Sequence, residues 1–368
     1  MSDIKNILVL GAGELGTQVL LSLAKHPHLN NITITVLLRP SSISSNDQDK
    51  ARHISMLYDQ SILAVPGDLT HDSQESLSRI FRNYDTIIGC TGFAAGRGTQ
   101  RKLVHAILAA EVPRYIPWQF GVDYDIIGRG SAQDLFDEQL EVRDLLRSQA
   151  STRWLIISTG MFISFLFEPL FGVVNLKDDV VCALGSWDTR VTVTAPEDIG
   201  KITAEIVLSS KHKETFSNKA IHVAGDTISY AELALLLEKS TGNPVQRTLR
   251  TVQAAQSDLA NEPENAIYKY QVVFGEGRGV SWDLSTTWNY EKGILVHQVN
   301  DLIRRKPAFC GNYSIFSNLC THLILTLNAD RWDLHELPKQ SDNSRNHHES
   351  DIVHMWWVIL AKANIICA

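Results

Sequence analysis

The chain has 368 residues, 44% apolar and 20% charged, the composition of an ordinary globular protein of one large or two modest domains, which excludes a disordered or fibrous chain. Its formal charge of −7, with no basic run longer than Arg304-Arg305-Lys306, leaves nucleic acid without an electrostatic footprint. Five widely spaced cysteines (Cys90, Cys182, Cys310, Cys320, Cys367) form no C-x-x-C pair and predict neither a disulfide framework nor a zinc site.

In chain order, an apolar run at 7–10 is followed by Gly11-Ala12-Gly13-Glu14-Leu15-Gly16 and then by apolar residues at helical spacing, Leu15, Val19, Leu20 and Leu23. Strand, tight turn and helix in that order are the setting of a dinucleotide site. Gly11 allows the turn, Gly13 the approach of a pyrophosphate, and Gly16 close packing of helix on strand. The helix start at Glu14 and Leu15 is then aimed at phosphate. The polar N-terminus runs straight into this motif, leaving no room for a signal peptide, and a cytoplasmic location is expected.

A second apolar run, 32–38, ends at Arg39, where an NAD-binding chain carries an acidic residue for the ribose 2′-hydroxyl. A guanidinium there suits a 2′-phosphate, and Ser41 and Ser42 add hydroxyl donors. The expected cofactor is NADP(H).

Further apolar runs at 61–65, 86–90, 114–117 and 154–158 alternate with helical patterns, predicting an α/β fold with a Rossmann-type doubly wound parallel sheet. Ligands collect at the carboxyl ends of such strands. Arg39, Gly67-Asp68, Thr91-Gly92, Gln119-Phe120-Gly121 and Thr159-Gly160 are therefore expected around one crevice, with the nicotinamide near Thr91, Gly92 and Gln119. After residue 158 come Phe-rich turns, a strand at 190–194, a helix from Pro196 and another at 230–241, read as a smaller α+β lobe. Phe120, Phe162 and Phe165 are its candidates for an apolar substrate wall. The expected division is 1–158 for the NADP-binding domain, 159–300 for the substrate lobe and 301–368 for a divergent tail. In the tail, apolar pieces at 319–327 and 352–359 fall short of the roughly 18–20 residues that span a bilayer. No membrane partner is expected, and His347-His348 in a polar stretch predict no metal site. The sequence carries no signal for oligomeric state.

Together GAGELG, Arg39, Gly67-Asp68-Leu69, the stretch Arg114 to Asp123 (RYIPWQFGVD), Ser158 to Phe162 (STGMF), Pro196 to Gly200 (PEDIG) and Ser229 to Leu233 (SYAEL) resemble the NmrA-like and isoflavone-reductase-like family, atypical members of the short-chain dehydrogenase group. The resemblance covers roughly residues 5–300. It implies an NADPH-binding Rossmann domain, a small substrate lobe and hydride delivery to a small aromatic or polyketide-like molecule at a carbonyl or enone. Many fungal members resemble accessory enzymes of secondary metabolism. Non-enzymatic members imply an alternative, a redox-sensing regulator that binds the dinucleotide without turnover. A non-redox isomerase or dehydratase is a further possibility on the same fold.

Two departures bear on mechanism. Reductases of this family carry a proton-transferring lysine three residues after a Phe and four before an Arg, which match Phe136 and Arg143 here and put Gln139 in its place. Leu135, Gln139, Val142 and Leu146 share one helical stripe, so Gln139 is expected to face inward. An amide can orient a carbonyl but exchanges no proton near neutral pH. The Tyr-x-x-x-Lys pair of the wider group is also absent. The candidates at the catalytic position are therefore Gln139, Asp123 and Tyr124, with ordered water or a substrate phenol as other proton sources. The second departure is the tail, which matches nothing in the family after about Val296.

Overall fold

The computed structural model describes residues 4–304. Strands β1 (Asn6–Leu10), β2 (Thr33–Leu38), β3 (Leu63–Pro66), β4 (Thr86–Gly89), β5 (Arg114–Ile116) and β6 (Arg153–Ser158) fall on the six apolar runs. They are followed by β7 (Met161–Phe162), β8 (Val174–Asn175), β9 (Val180–Leu184), β10 (Arg190–Thr194), β11 (Lys219–His222), β12 (Asp226–Ser229) and β13 (Gln246–Arg250). The main sheet has the order β11-β6-β5-β4-β1-β2-β3, and every pairing in it is parallel. The strand order reverses between β1 and β4, and the crevice at that switch point is where a doubly wound sheet binds ligands.

Strands buried on both faces need helices on both sides. Leu15, Val19, Leu20 and Leu23 of the helix Glu14–Ala24 share one core with Ile199, Ile202 and Ile206 of the helix Pro196–Leu208. On the opposite face Leu77 and Phe81 (helix Gln74–Phe81), Leu103 and Ile107 (Thr99–Ala109), and Val142 and Leu146 (Leu135–Arg147) pack against Leu8, Leu10, Ile87 and Ile156. Each such side chain contributes about 1.5–3 kcal/mol on burial. The helix Thr99–Ala109 has no cap of its own; Glu138, from the helix Leu135–Arg147, accepts from the amides of Gly98 and Gln100 at 2.9 Å each. That bridge fixes two crevice-forming helices relative to one another.

β11 and the helix Pro196–Leu208 complete the doubly wound layer from beyond residue 158, because the chain returns to the large sheet after entering the lobe. The lobe itself carries two small sheets, β12-β10-β7 and β13-β9-β8, with helices Tyr230–Thr241, Val252–Asn261 and Ala266–Glu276. Ser229 and Glu232 close a capping box on the first of these. His347-His348, both apolar pieces of the tail and all but residues 301–304 of the expected third segment lie outside the described residues.

Candidate active site

The glycine turn follows β1. Gly11 has φ +95°, and a Cβ on it would lie 2.4 Å from the Thr91 Oγ1, which donates to the Leu10 carbonyl at 2.8 Å; a Cβ on Gly16 would lie 2.2 Å from the Gly11 carbonyl oxygen. Those two glycines are required by the protein's own packing. Gly13 differs: no atom stands within 4 Å of where its Cβ would be, and it caps the helix Glu14–Ala24 without a side-chain hydrogen bond. The helix amides therefore face open space, a fit for a pyrophosphate. Leu15 is buried in the core and can offer only its backbone, whereas Glu14 reaches across to the lobe and accepts from Ser164 Oγ at 3.2 Å. Protein atoms crowd the Glu14 carboxyl although the residue is exposed. That desolvation, opposed by the Ser164 bond and reinforced by the Glu197 charge, raises its pKa.

Leu10 is in register with Leu37 on the neighbouring strand, so Arg39 stands just beyond the glycine turn. Arg39 is exposed, and its guanidinium has no hydrogen bond or ion pair among the described residues; Ser41 is exposed and Ser42 half-buried beside it. An unengaged cation at this edge matches a 2′-phosphate. Replacing Arg39 with Asp is expected to shift the ratio of NADPH to NADH dissociation constants at least tenfold toward NADH, about 1.4 kcal/mol. A ratio unchanged in paired fluorescence titrations would remove the 2′-phosphate assignment. Sequence reasoning passed over His53, which sits against the same turn with Nε2 3.3 Å from Thr17 Oγ1, and whose pKa burial lowers against a bond to the Ala12 carbonyl.

Loops after β4, β5 and β6 meet at a small cavity of about 30 Å³. Its lining includes Phe93, Phe120, Tyr124, Phe136, Met161, Phe162, Tyr270 and Phe274, with Gly121 and Gly160. Two phenols, Tyr124 and Tyr270, are the polar side chains of this wall, and no charged one takes part. Thr91 and Gly92 adjoin it through Phe93. Phe120 and Phe162 occupy the wall, whereas Phe165 stands one layer behind, stacked on Phe171 at 4.3 Å between ring centres. Tyr270 and Phe274 come from the helix Ala266–Glu276 and had only their four-residue spacing to announce them.

Behind the wall lies a polar network. Gln119 is fully buried; its Nε2 donates to the Gln139 carbonyl at 2.8 Å and its Oε1 accepts from Arg143 Nε at 2.7 Å. Both ends of its amide are thus engaged by the helix Leu135–Arg147. Arg143 is 0% exposed and also reaches Asp125 at 2.7 Å and Asp123 at 3.3 Å. Asp123 caps the short helix Tyr124–Ile127 and meets His222 Nε2 at 2.8 Å. Burial works to raise the Asp123 pKa, but the His222 bond and the Arg143 charge outweigh it and hold the carboxyl at about 2. Such a carboxylate is a fixed anion at neutral pH, which takes Asp123 out of contention as the acid. Gln139 faces inward at 0% exposure, and neither of its amide atoms has a hydrogen-bond partner among the described residues.

Among the described residues no group of three or more His, Cys, Asp or Glu is placed to hold a metal, and no helix is long and apolar enough to cross a membrane.

Comparison with known proteins agrees with this architecture. An oxidoreductase of Gibberella moniliformis described as containing an NmrA-like family domain is 47% identical over 305 residues, 83% of this chain and 98% of that protein. The isoflavone reductase homolog P3 of Arabidopsis thaliana is 25% identical over 254 residues, 66% of this chain and 77% of its own. Among solved structures, the leucoanthocyanidin reductase of Vitis vinifera in its binary complex with NADPH superposes with a TM-score of 0.66 at 20% identity, covering 81% of this chain and 98% of that one. The model of the NmrA-like family matches residues 3–297, and the chain belongs to that family.

Proposed function

We propose that the protein is an NADPH-dependent oxidoreductase that reduces a carbonyl or enone of a small, neutral, aromatic or polyketide-like molecule, as a step in the making of a secondary metabolite. The observation that carries this reading is the adjacency of an open glycine turn and an unengaged Arg39 to a pocket walled by aromatic rings and two phenols. The relatives' names, oxidoreductase and isoflavone reductase homolog, and the NADPH in the leucoanthocyanidin reductase complex support it. When bound, the cofactor supplies the hydride. The residues of the chain hold its phosphates at the amides after Gly13, hold the 2′-phosphate at Arg39, and exclude water with Phe120, Phe136 and Phe162.

An uncharged wall disfavours a charged substrate, since burying a carboxylate without a partner costs several kcal/mol. Matched pairs of aromatic ketones are therefore expected to separate, the methyl ester turning over at least tenfold faster in kcat/KM than the free acid. The experiment that tests the reading is titration with NADPH and NADH, followed by single-turnover loss of NADPH absorbance against aromatic ketones, enones and quinones. Tight NADPH binding with substrate-dependent oxidation upholds it. Tight binding without turnover favours the second reading, a redox-sensing regulator, which the amide of Gln139 in place of the family's lysine supports.

A further inference from the structure

We propose that Tyr124 is the proton donor of this site, its phenol giving the proton to the substrate oxygen while a buried guanidinium on its ring face stabilises the phenolate. The inference rests on the reductase reading above and assigns the residue that completes the reaction.

A donor must reach the substrate, carry a transferable proton and have a stabilised conjugate base. Gln139 fails the second requirement, and Asp123, held as a carboxylate, has no proton to give. The two phenols of the wall remain. Tyr270 lies edge-on to Phe136 and Phe165, at 5.9 and 6.1 Å between ring centres. Tyr124 packs edge-on to Phe136 at 4.9 Å, and the Arg143 guanidinium carbon stands 5.3 Å from its ring centre. A desolvated cation against an aromatic face gains strength as the ring becomes anionic.

The cation is held for that position. Gln119, Asp123 and Asp125 fix Arg143, and Arg147 pairs with Asp125 at 2.6 Å, so the two carboxylates on Arg143 are balanced by two guanidinium groups. His222, at the carboxyl end of β11, is the remaining titratable group of the cluster, on Asp123. The phenol oxygen has its own space as well. A Cβ on Gly121 would lie 2.8 Å from it, so the glycine in this loop leaves room for the hydroxyl.

In the step, the substrate carbon accepts a hydride, one proton with two electrons, from the reduced nicotinamide. The carbonyl π pair moves to oxygen, and that oxygen takes the Tyr124 proton. Oxidised nicotinamide and a Tyr124 phenolate remain, and the phenolate regains a proton from water after product leaves.

The test is Tyr124→Phe, which removes one oxygen and keeps the ring against Phe136 and Arg143. The NADPH dissociation constant and thermal midpoint are expected to match wild type, while single-turnover reduction falls by about 100-fold or more. Calorimetric affinity for the ketone, measured with and without NADP+, is expected to weaken about fivefold from the lost hydrogen bond. Gly121→Ala is the second variant: it keeps the phenol but crowds its oxygen, and is expected to lose at least tenfold in turnover. Wild-type turnover with Tyr124→Phe within threefold of it overturns this inference alone. Absence of turnover in the wild type overturns both it and the reductase reading.

Discussion

Replacing Arg143 with methionine is expected to lower the unfolding free energy by about 3–5 kcal/mol, the range for breaking a buried ion pair from one side. Methionine fills most of the space but leaves the Gln119 Oε1 without its donor and Asp123 with His222 as its remaining side-chain partner. The loss is electrostatic in origin, so it depends on pH in a defined direction. The Asp123 carboxyl has a folded pKa of about 2, below its ordinary unfolded value of about 3.9. A depressed carboxylate pKa stabilises the fold fully above the unfolded value, and that contribution disappears as pH falls toward the folded one. A separation of about two pKa units corresponds to about 2–3 kcal/mol, lost between about pH 4 and pH 2. Urea unfolding near neutrality and at about pH 3 separates the parts. Wild type should weaken markedly on acidification, whereas Arg143→Met, already deprived of the charge that holds Asp123 ionised, should lose less stability over the same interval. Equal stability of the two proteins near neutrality would remove the network from the account of the fold.

The contrast between this network and the glycine turn shows what a sequence can disclose. Gly11, Gly13 and Gly16 lie within one turn of chain, and Arg39 follows the next strand, so the nucleotide half of the crevice is written in local order. The strands of the large sheet were legible for the same reason, each being a run of apolar residues between turns. β11 was not. Its residues Lys219, Ala220 and His222 are polar, exposed or half-buried, and only Ile221 enters the core, as befits an edge strand. The pocket's far wall was hidden in another way, because Tyr270 and Phe274 have the spacing of any buried helix face. Asp123 and His222 are separated by 99 residues and Arg143 and Gln119 by 24, so no local spacing links them. Gln119 was legible in position, whereas the partners of its side chain were not. The loop after β5 turns its amide toward the helix Leu135–Arg147, where Arg143 and the Gln139 carbonyl engage both ends.

Gln139→Leu is expected to stabilise the folded protein by about 2 kcal/mol, against the general rule that core substitutions weaken a fold. Both amide atoms of Gln139 are out of contact with solvent and lack hydrogen-bond partners among the described residues, so the folded state carries the desolvation cost of the group without a compensating bond. Leucine has similar volume, suits the inward stripe shared with Val142 and Leu146, and leaves untouched the Gln139 backbone carbonyl that accepts from Gln119. Residues held at such a cost in a core are most often held for function. If the amide serves a bound ligand, the leucine variant gains stability and loses ligand affinity or turnover together, an opposition that packing alone does not produce. Denaturant midpoints combined with NADPH and ketone titrations read both quantities on one preparation. A leucine variant that is less stable than wild type would mean that the amide is satisfied by an ordered water, and would return Gln139 to an ordinary structural role.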